Sequence, residues 1–441
     1  MDETGIALLP GAFVAMLALL ALASPSAGGA IPVEVRKDRG RFRLYRAGKP
    51  HYVRGAVYWA NPTGRFPLSG LLARGGNSVR CGGRNVSRIL DEAARLDMSV
   101  TVGLGMKMEA VHKFDYSDAA AVRKQFERIQ ATVRKYKDHP AVLMWGIGNE
   151  LSMFYKNKKV WLAVNEVAEF IHEVDPHHPT MTVIGSGKKL AEAADIRKQC
   201  PAIDVLGVNW YAGLETVPKH IRAAGWTKPY CITEWGPSGH WQVPKTTWGS
   251  AIEETSTEKA RLYRSRYEGT MSKDKNRCLG SYVFFWQAKQ EQTHTWYGMF
   301  LASGQRAESV NVMQRLWTGT WPANRAPAIA SLRLAGRAAT DSVCLEPDTP
   351  HAAELAVTDP DGDTLRFRWL VLPEPTKFGY GGMGERRPKP VAGLLGDASG
   401  AKITMTAPSR KGAYRLFVVV LDGQGNAATA NIPFHVGRPK Q

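Results

Sequence analysis

The chain runs to 441 residues, of which 44% are hydrophobic, 22% charged and 9% aromatic. That balance excludes a collagenous, low-complexity or largely disordered protein, and it leaves room for one large domain and a smaller one. Lys and Arg outnumber Asp and Glu by 58 to 40, a formal charge of +18 that by itself points to nucleic acid or an anionic surface.

The first element is an apolar run, AFVAMLALLALA over residues 12–23, followed by the small residues 24–30. Its length suits the h-region of a cleavable signal peptide better than a transmembrane helix. The segment before it carries Asp2 and Glu3 and no base, which departs from the usual basic n-region. We therefore expect residues 1–30 to be a signal, the protein to be secreted or periplasmic, and no membrane span to remain after processing; an uncleaved anchor is the alternative.

From about residue 33 to 317, short apolar runs alternate with amphipathic segments. Eight runs read as strands: 52–58, 77–81, 99–104, 142–148, 181–184, 205–210, 230–233 and 280–285. Helical periodicity lies between them, as in VSRILDEAARL at 86–96. Strands separated by helices imply parallel pairing, and eight such units predict an α/β fold, a (β/α)8 TIM barrel over 31–322. Past residues 321–327 (WPANRAP) the helical pattern stops. Alternating segments at 353–357, 365–371, 402–406, 414–421 and 427–436, split by Asp/Gly/Pro turns, predict a small antiparallel β-sandwich over 323–441. The Gly-, Pro- and Arg-rich stretch 373–390 reads as a long exposed loop.

Five cysteines, at 81, 200, 231, 278 and 344, are too sparse for a disulfide scaffold and lack zinc spacing. One bridge among Cys200, Cys231 and Cys278, or inert buried thiols, both fit. Nearly all the excess positive charge lies before residue 326 and sits largely on helices and loops. No RNA-binding, zinc-finger or helix-turn-helix signature accompanies it, so solvated helix faces explain it and a nucleic-acid partner is not expected.

Barrel enzymes carry their chemistry at the C-terminal ends of the strands. Those ends are Arg80 after the second strand, Asn149-Glu150 after the fourth, Asn209-Trp210-Tyr211 after the sixth, Glu234-Trp235 after the seventh and Trp286 after the eighth. Two glutamates close strands four and seven, opposite each other across the barrel. Such a pair suits glycoside cleavage, with one carboxyl protonating the leaving oxygen and the other ionised at the anomeric carbon. A surface ion pair, the ordinary fate of a glutamate, fits neither residue, since each closes an apolar strand.

The segment Arg134-Lys-Tyr-Lys-Asp-His139-Pro140-Ala-Val-Leu-Met-Trp145-Gly-Ile-Gly-Asn149-Glu150 closely resembles the acid/base strand of glycoside hydrolase family 2. The segment from Phe42 to Gly55 resembles the start of that family's barrel. Pro229-Tyr-Cys-Ile-Thr-Glu234-Trp235-Gly236 is similar to the nucleophile strand of the clan that includes families 2 and 5. The likeness spans about residues 36–317. It implies a retaining β-glycoside hydrolase acting on an oligo- or polysaccharide, with Glu150 as acid/base and Glu234 as nucleophile. It also implies that Asn149 binds the hydroxyl next to the anomeric carbon, with Asn209 among the sugar-binding residues. Arg80 and Tyr211 would keep Glu234 ionised, and Trp286 would floor the sugar subsite. Arg80 as partner of another acid and Trp286 as core packing are the structural alternatives. A retaining pair should stand about 5–5.5 Å apart.

The barrel pattern begins directly after the apolar leader, so the sandwich domains that usually precede this family's barrel are not expected. Galactosidase, glucuronidase or mannosidase specificity therefore does not carry over. Trp59, Trp210, Trp235, Trp241 and Trp296 lie at or after strand ends and suggest an aromatic cleft. The C-terminal Asp359-Pro-Asp361-Gly-Asp363 and Asp422-Gly-Gln-Gly-Asn426, behind Asn324-Arg-Ala-Pro327, resemble cadherin-like and polycystic-kidney-disease-like sandwiches, immunoglobulin-type domains appended to secreted enzymes. Clustered acids suit Ca²⁺, but Asp-Gly turn chemistry accounts for them and is preferred. No metal or cofactor is needed for the proposed chemistry. The two competing functions are a transglycosylase using the same glutamates and a non-catalytic carbohydrate-binding module. The basic balance then becomes a hint of an anionic polysaccharide.

Overall fold

A computed structural model describes residues 29–59, 64–83, 85–185 and 190–439. The expected leader, apart from its last two residues, lies outside the described residues. Among those described, no helix is long and apolar enough to cross a membrane.

Eight parallel strands close a barrel: β1 (Val53–Val57), β2 (Ser78–Gly82), β3 (Ser99–Leu104), β4 (Val142–Ile147), β5 (Thr180–Ile184), β6 (Val205–Asn209), β7 (Tyr230–Trp235) and β8 (Cys278–Val283). Each pairs with its sequence neighbours, and β8 closes on β1 through Gly280–Val53 and Val283–Ala56. Every residue of β4, β5, β6 and β8 is buried, because helices cover one face and the barrel interior fills the other. Those strands therefore read as continuous apolar runs. The interior also carries a hydroxyl layer, in which Thr101 Oγ1 lies 2.6 Å from the Tyr282 hydroxyl and Ser78 Oγ donates to Ser99 O. Satisfied hydroxyls are tolerated there because each has a partner.

A hairpin of Val33–Asp38 and Arg41–Arg46 precedes the barrel and packs on its N-terminal end, where Phe42 N donates to Asn276 O. It was not among the expected strands. Its alternation sends Arg and Lys to solvent and buries Val33 and Leu44, a signal drowned in charge.

The C-terminal region forms the expected antiparallel sandwich. One sheet orders β9 (Ala328–Leu334), β10 (Pro350–Thr358) and β12 (Lys402–Thr406) as β9-β10-β12. The other pairs β11 (Arg366–Pro373) with β13 (Gly412–Leu421) and β13 with β14 (Asn426–Val436). Leu334, Met405, Leu416, Val418 and Phe434 fill the space between. β9 was not anticipated.

The sandwich is bonded to the barrel. Arg306–Ala307, from the barrel, pairs in parallel with the start of β14. Arg415, 3% exposed, bonds Glu374, Asn431 Oδ1 at 2.7 Å and Ala251 O at 2.9 Å. Beside it Glu253 accepts from Lys259 Nζ, Thr293, Thr295 and Asn431 Nδ2. Burial alone would raise the Glu253 carboxyl, yet Lys259 and these donors hold it below its ordinary range. A buried charge is tolerable only when so partnered.

The stretch 373–390 is not simply an exposed loop. Its base is tied to the sandwich by Glu374 and by Val391 N to Val371 O, while its tip lies on the barrel. There Lys289 Nζ donates to Gly381 O at 2.8 Å and Gln292 N to Glu385 Oε2 at 2.8 Å. The docking of two domains, invisible to local periodicity, makes the difference.

The Asp turns behave as turns. Asp359 Oδ1 accepts from Asp361 N and Asp363 N, and Asp422 Oδ1 from Gln424 N and Asn426 N. Among the described residues no group of three or more His, Cys, Asp or Glu is placed to hold a metal. All five cysteines are free thiols, four of them buried.

Candidate active site

β2, β4, β6 and β7 bring six side chains to one end of the barrel. Glu234 sits in the last turn of β7, and Arg80 rises beside it from β2. Arg80 Nη1 donates to Glu234 Oε1 at 2.9 Å, and Nη2 to Asn149 Oδ1 at 2.6 Å. The Tyr211 hydroxyl donates to Glu234 Oε2 at 3.3 Å. Both oxygens of Glu234 thus face donors, one of them cationic.

Glu150 follows β4 with a φ of +49°, a left-handed backbone uncommon outside glycine, and its amide donates to Val183 O on β5. Gly185 gives it room, since a Cβ there would stand 3.0 Å from Glu150 Oε1. That oxygen accepts from Asn209 Nδ2 at 3.0 Å. Asn209 is oriented by Thr233 Oγ1, which donates to its Oδ1 at 2.7 Å, and it also donates to Asn149 Oδ1. Asn149 Oδ1 therefore receives both Arg80 and Asn209. The network runs unbroken from Glu234 through Arg80, Asn149 and Asn209 to Glu150.

The two carboxyls have unlike surroundings. Burial first, then the charge of Glu234, pushes Glu150 up to about 7, although Tyr380, Asn209 and Arg80 pull the other way. Glu234 has a guanidinium at hydrogen-bond distance, and Glu150 has none. The pair is thus one carboxyl that holds its proton near neutrality beside one matched to a fixed cation.

Four of the five other residues expected from the sequence lie in the site. Arg80, Asn149, Asn209 and Tyr211 join the two glutamates. Trp286 does not: 1% exposed, it packs against Trp317 and Phe300 and has no open face for a sugar. Regular strand geometry ends at Val283, and three residues on, the Trp286 ring is taken up by Phe300 and by Trp317 of the helix Glu308–Thr318, the core packing that was the alternative to a sugar floor. Phe284 lies beside the site instead, 6.1 Å edge-on from the Tyr211 ring. The tryptophans divide likewise. Trp210, Trp235 and Trp296 are core, whereas Trp59 and Trp241 are about half exposed, and Trp241 stands 5.8 Å edge-on from Tyr211.

Three further residues escaped the sequence reading. Tyr380, from the sandwich loop, donates its hydroxyl to Glu150 Oε2. Lys289 pairs with Glu291 at 3.3 Å and lies over the Trp59 ring. Burial pushes Glu291 up to about 7 against the pull of Lys289. The last two follow β8 closely enough for strand-end reasoning to have reached them; nothing local marks Tyr380. A separate cavity of about 640 Å³, lined by Arg41, Arg43, His51, Arg54 and Lys275 among others, lies at the opposite end of the barrel and holds none of these groups.

Residues 88–241 match the family model "Glycosyl hydrolases family 2, TIM barrel domain", a narrower span than the sequence resemblance. Among curated proteins none matches significantly. Of solved structures, a calcium binding mutant of Bacteroides uniformis beta-glucuronidase 2 superposes with a TM-score of 0.52 at 14% identity, covering 92% of this chain and 48% of that one. An FMN-binding beta-glucuronidase from Facaelibacterium prausnitzii L2-6 gives 0.51 at 14% identity, covering 93% and 59%. The chain thus spans about half the length of the structures it is similar to, and at this identity the likeness concerns the fold. Over residues 88–241 the chain matches the TIM-barrel domain of glycosyl hydrolase family 2, a span that takes in Asn149, Glu150, Asn209, Tyr211 and Glu234.

Proposed function

We propose that the protein is a retaining β-glycoside hydrolase. Glu234 attacks the anomeric carbon as Glu150 gives its proton to the departing glycosidic oxygen, leaving a glycosyl ester on Glu234. Water then loses a proton to Glu150 and attacks the same carbon, and the ester bond breaks to free Glu234. The observation that carries this reading is the split environment of the pair: Arg80 and Tyr211 on Glu234, burial raising Glu150 to about 7. Asn149 has its Oδ1 committed to Arg80 and Asn209, so its Nδ2 is oriented to donate to the neighbouring sugar hydroxyl.

Glu234→Gln should abolish turnover of an aryl β-glycoside. Glu150→Ala should keep slow turnover of the same activated substrate and be rescued by azide, yielding the β-glycosyl azide. An α-azide product or an active Glu234→Gln variant refutes the assignment.

The excess of basic residues in the barrel supports an anionic polysaccharide as substrate, so the panel should include uronic-acid polymers and be run against ionic strength. Export by the leader at 12–23 is the matching proposal for location, checked by the mature N-terminus. The exposed Trp241 beside Tyr211 favours a second reading, transfer of the glycosyl group to a sugar acceptor stacked there. Product analysis at high substrate concentration separates the two.

A further inference from the structure

Both oxygens of Glu150 are occupied: Oε1 by Asn209 and Oε2 by Tyr380. Asn209 belongs to the barrel wall and is locked by Thr233 and Asn149. A glycosidic oxygen that is to receive the proton must therefore come to Oε2, where the Tyr380 hydroxyl stands. A phenol hydroxyl both donates and accepts, so it partners the carboxyl in either protonation state. It occupies the leaving oxygen's place in chemistry as well as in space.

The loop that carries Tyr380 is firm at its base and light at its tip. The base is held by the buried Glu374–Arg415 pair and by Val391 N. The tip touches the barrel through Lys289 to Gly381 O and Gln292 to Glu385, and Glu385 folds back on Gly379 N. Four of the six residues from 379 to 384 are glycine. Gly382, at φ +77°, lies so close to the barrel that a Cβ there would stand 2.6 Å from Gln290 O. The bonds of Lys289, Gln292 and Tyr380 and the packing of the Tyr380 ring on the barrel core are what must give way for the tip to move.

We propose that Tyr380 is a gate on the acid/base carboxyl: it fills the leaving-oxygen position in the free enzyme and yields it to the aglycone. The sandwich domain thereby screens which leaving groups and acceptors reach Glu150. The proposal rests on Glu150 being the acid/base, as argued above.

The groups facing Glu150 are Glu234 from β7, Arg80 from β2 and Tyr380 from the loop, and Glu234 and Glu291 also face Tyr380. Of these, only Tyr380 leaves when substrate binds. Its hydrogen bond favours ionised Glu150, so removing it should raise the pH at which the free enzyme loses its acid.

The test is the pH profile of Tyr380→Phe on an aryl β-glycoside that the wild type hydrolyses. The basic limb of kcat/KM, which reports the free enzyme, should move up by about one pH unit. The basic limb of kcat, which reports the complex, should stay in place. Gly382→Ala should reproduce this split with the hydroxyl present, because it lifts the tip. A limb that moves in both parameters means Tyr380 stays on Glu150 throughout, and one that moves in neither means it never occupied Oε2; either overturns the gate. An unmoved Gly382→Ala profile overturns the loop's part in it. Glu150→Gln on an unactivated alkyl β-glycoside keeps the two failures apart: undiminished turnover defeats the acid/base reading itself, whereas inactivity with an unmoved Tyr380→Phe profile defeats the gate alone.

Discussion

Arg80 and Glu234 form an ion pair at 2.9 Å with side chains only 11% and 16% exposed. The second arm of the same guanidinium holds Asn149. Lysine keeps the charge but lacks the planar fork that reaches both partners. Arg80→Lys should lower kcat/KM by roughly 100-fold with the fold intact by circular dichroism. A near-wild-type variant would show that charge alone suffices.

The carboxyl of Glu150 sits near 7 through burial and the charge of Glu234. A general acid works only while protonated, so kcat/KM should fall as pH rises through about 7. The same shift acts on stability with a definite sign. The folded state holds this proton from the ordinary carboxylate range up to about 7, while the unfolded chain has lost it, so this site's contribution to stability declines across that window. Thermal midpoints of wild type and Glu150→Gln, compared from pH 4.5 to 7.5, should diverge in favour of the variant as pH rises.

Arg415 is buried between the domains with Glu374, Asn431 and the Ala251 carbonyl as partners. Arg415→Ala strands the Glu374 charge and should cost about 3–5 kcal/mol in denaturant titration. It should also reduce activity, because Glu374 anchors the base of the loop that reaches Glu150. An active, destabilised variant would separate the interface from the site.

Trp59 and Trp241 are the half-exposed tryptophans beside the site, and each rests on an aromatic neighbour, Phe285 and Tyr211 respectively. Replacing either by alanine should raise KM on oligosaccharides about 10-fold, the loss of roughly one aromatic contact, and leave small aryl glycosides nearly unaffected. Equal losses on both substrates would mean the rings are structural.

The barrel and the carboxyl pair were legible because both follow from local rules. Apolar runs such as VLMWGI mark strands buried on two faces, and strand ends in a barrel face the reaction. The Arg-rich hairpin at 33–46 was missed since its alternation is carried by few apolar residues. The sugar-floor role of Trp286 rested on resemblance, and the packing of Phe300 and Trp317 that buries its ring comes from segments outside the strand itself. Tyr380 is 230 residues from its partner, and no window of sequence contains the docking that joins them.

That long-range bond bears on how such a chain can change over generations. A carbohydrate enzyme with a trailing sandwich would normally be expected to trade it freely, as one swaps a handle. Here the trailing piece supplies a strand pairing, an ion pair at the domain boundary and a hydroxyl on Glu150. A recombinant with a foreign sandwich would lose the contact on Glu150, and a one-residue deletion between 374 and 390 would be felt there too. The two parts must vary together.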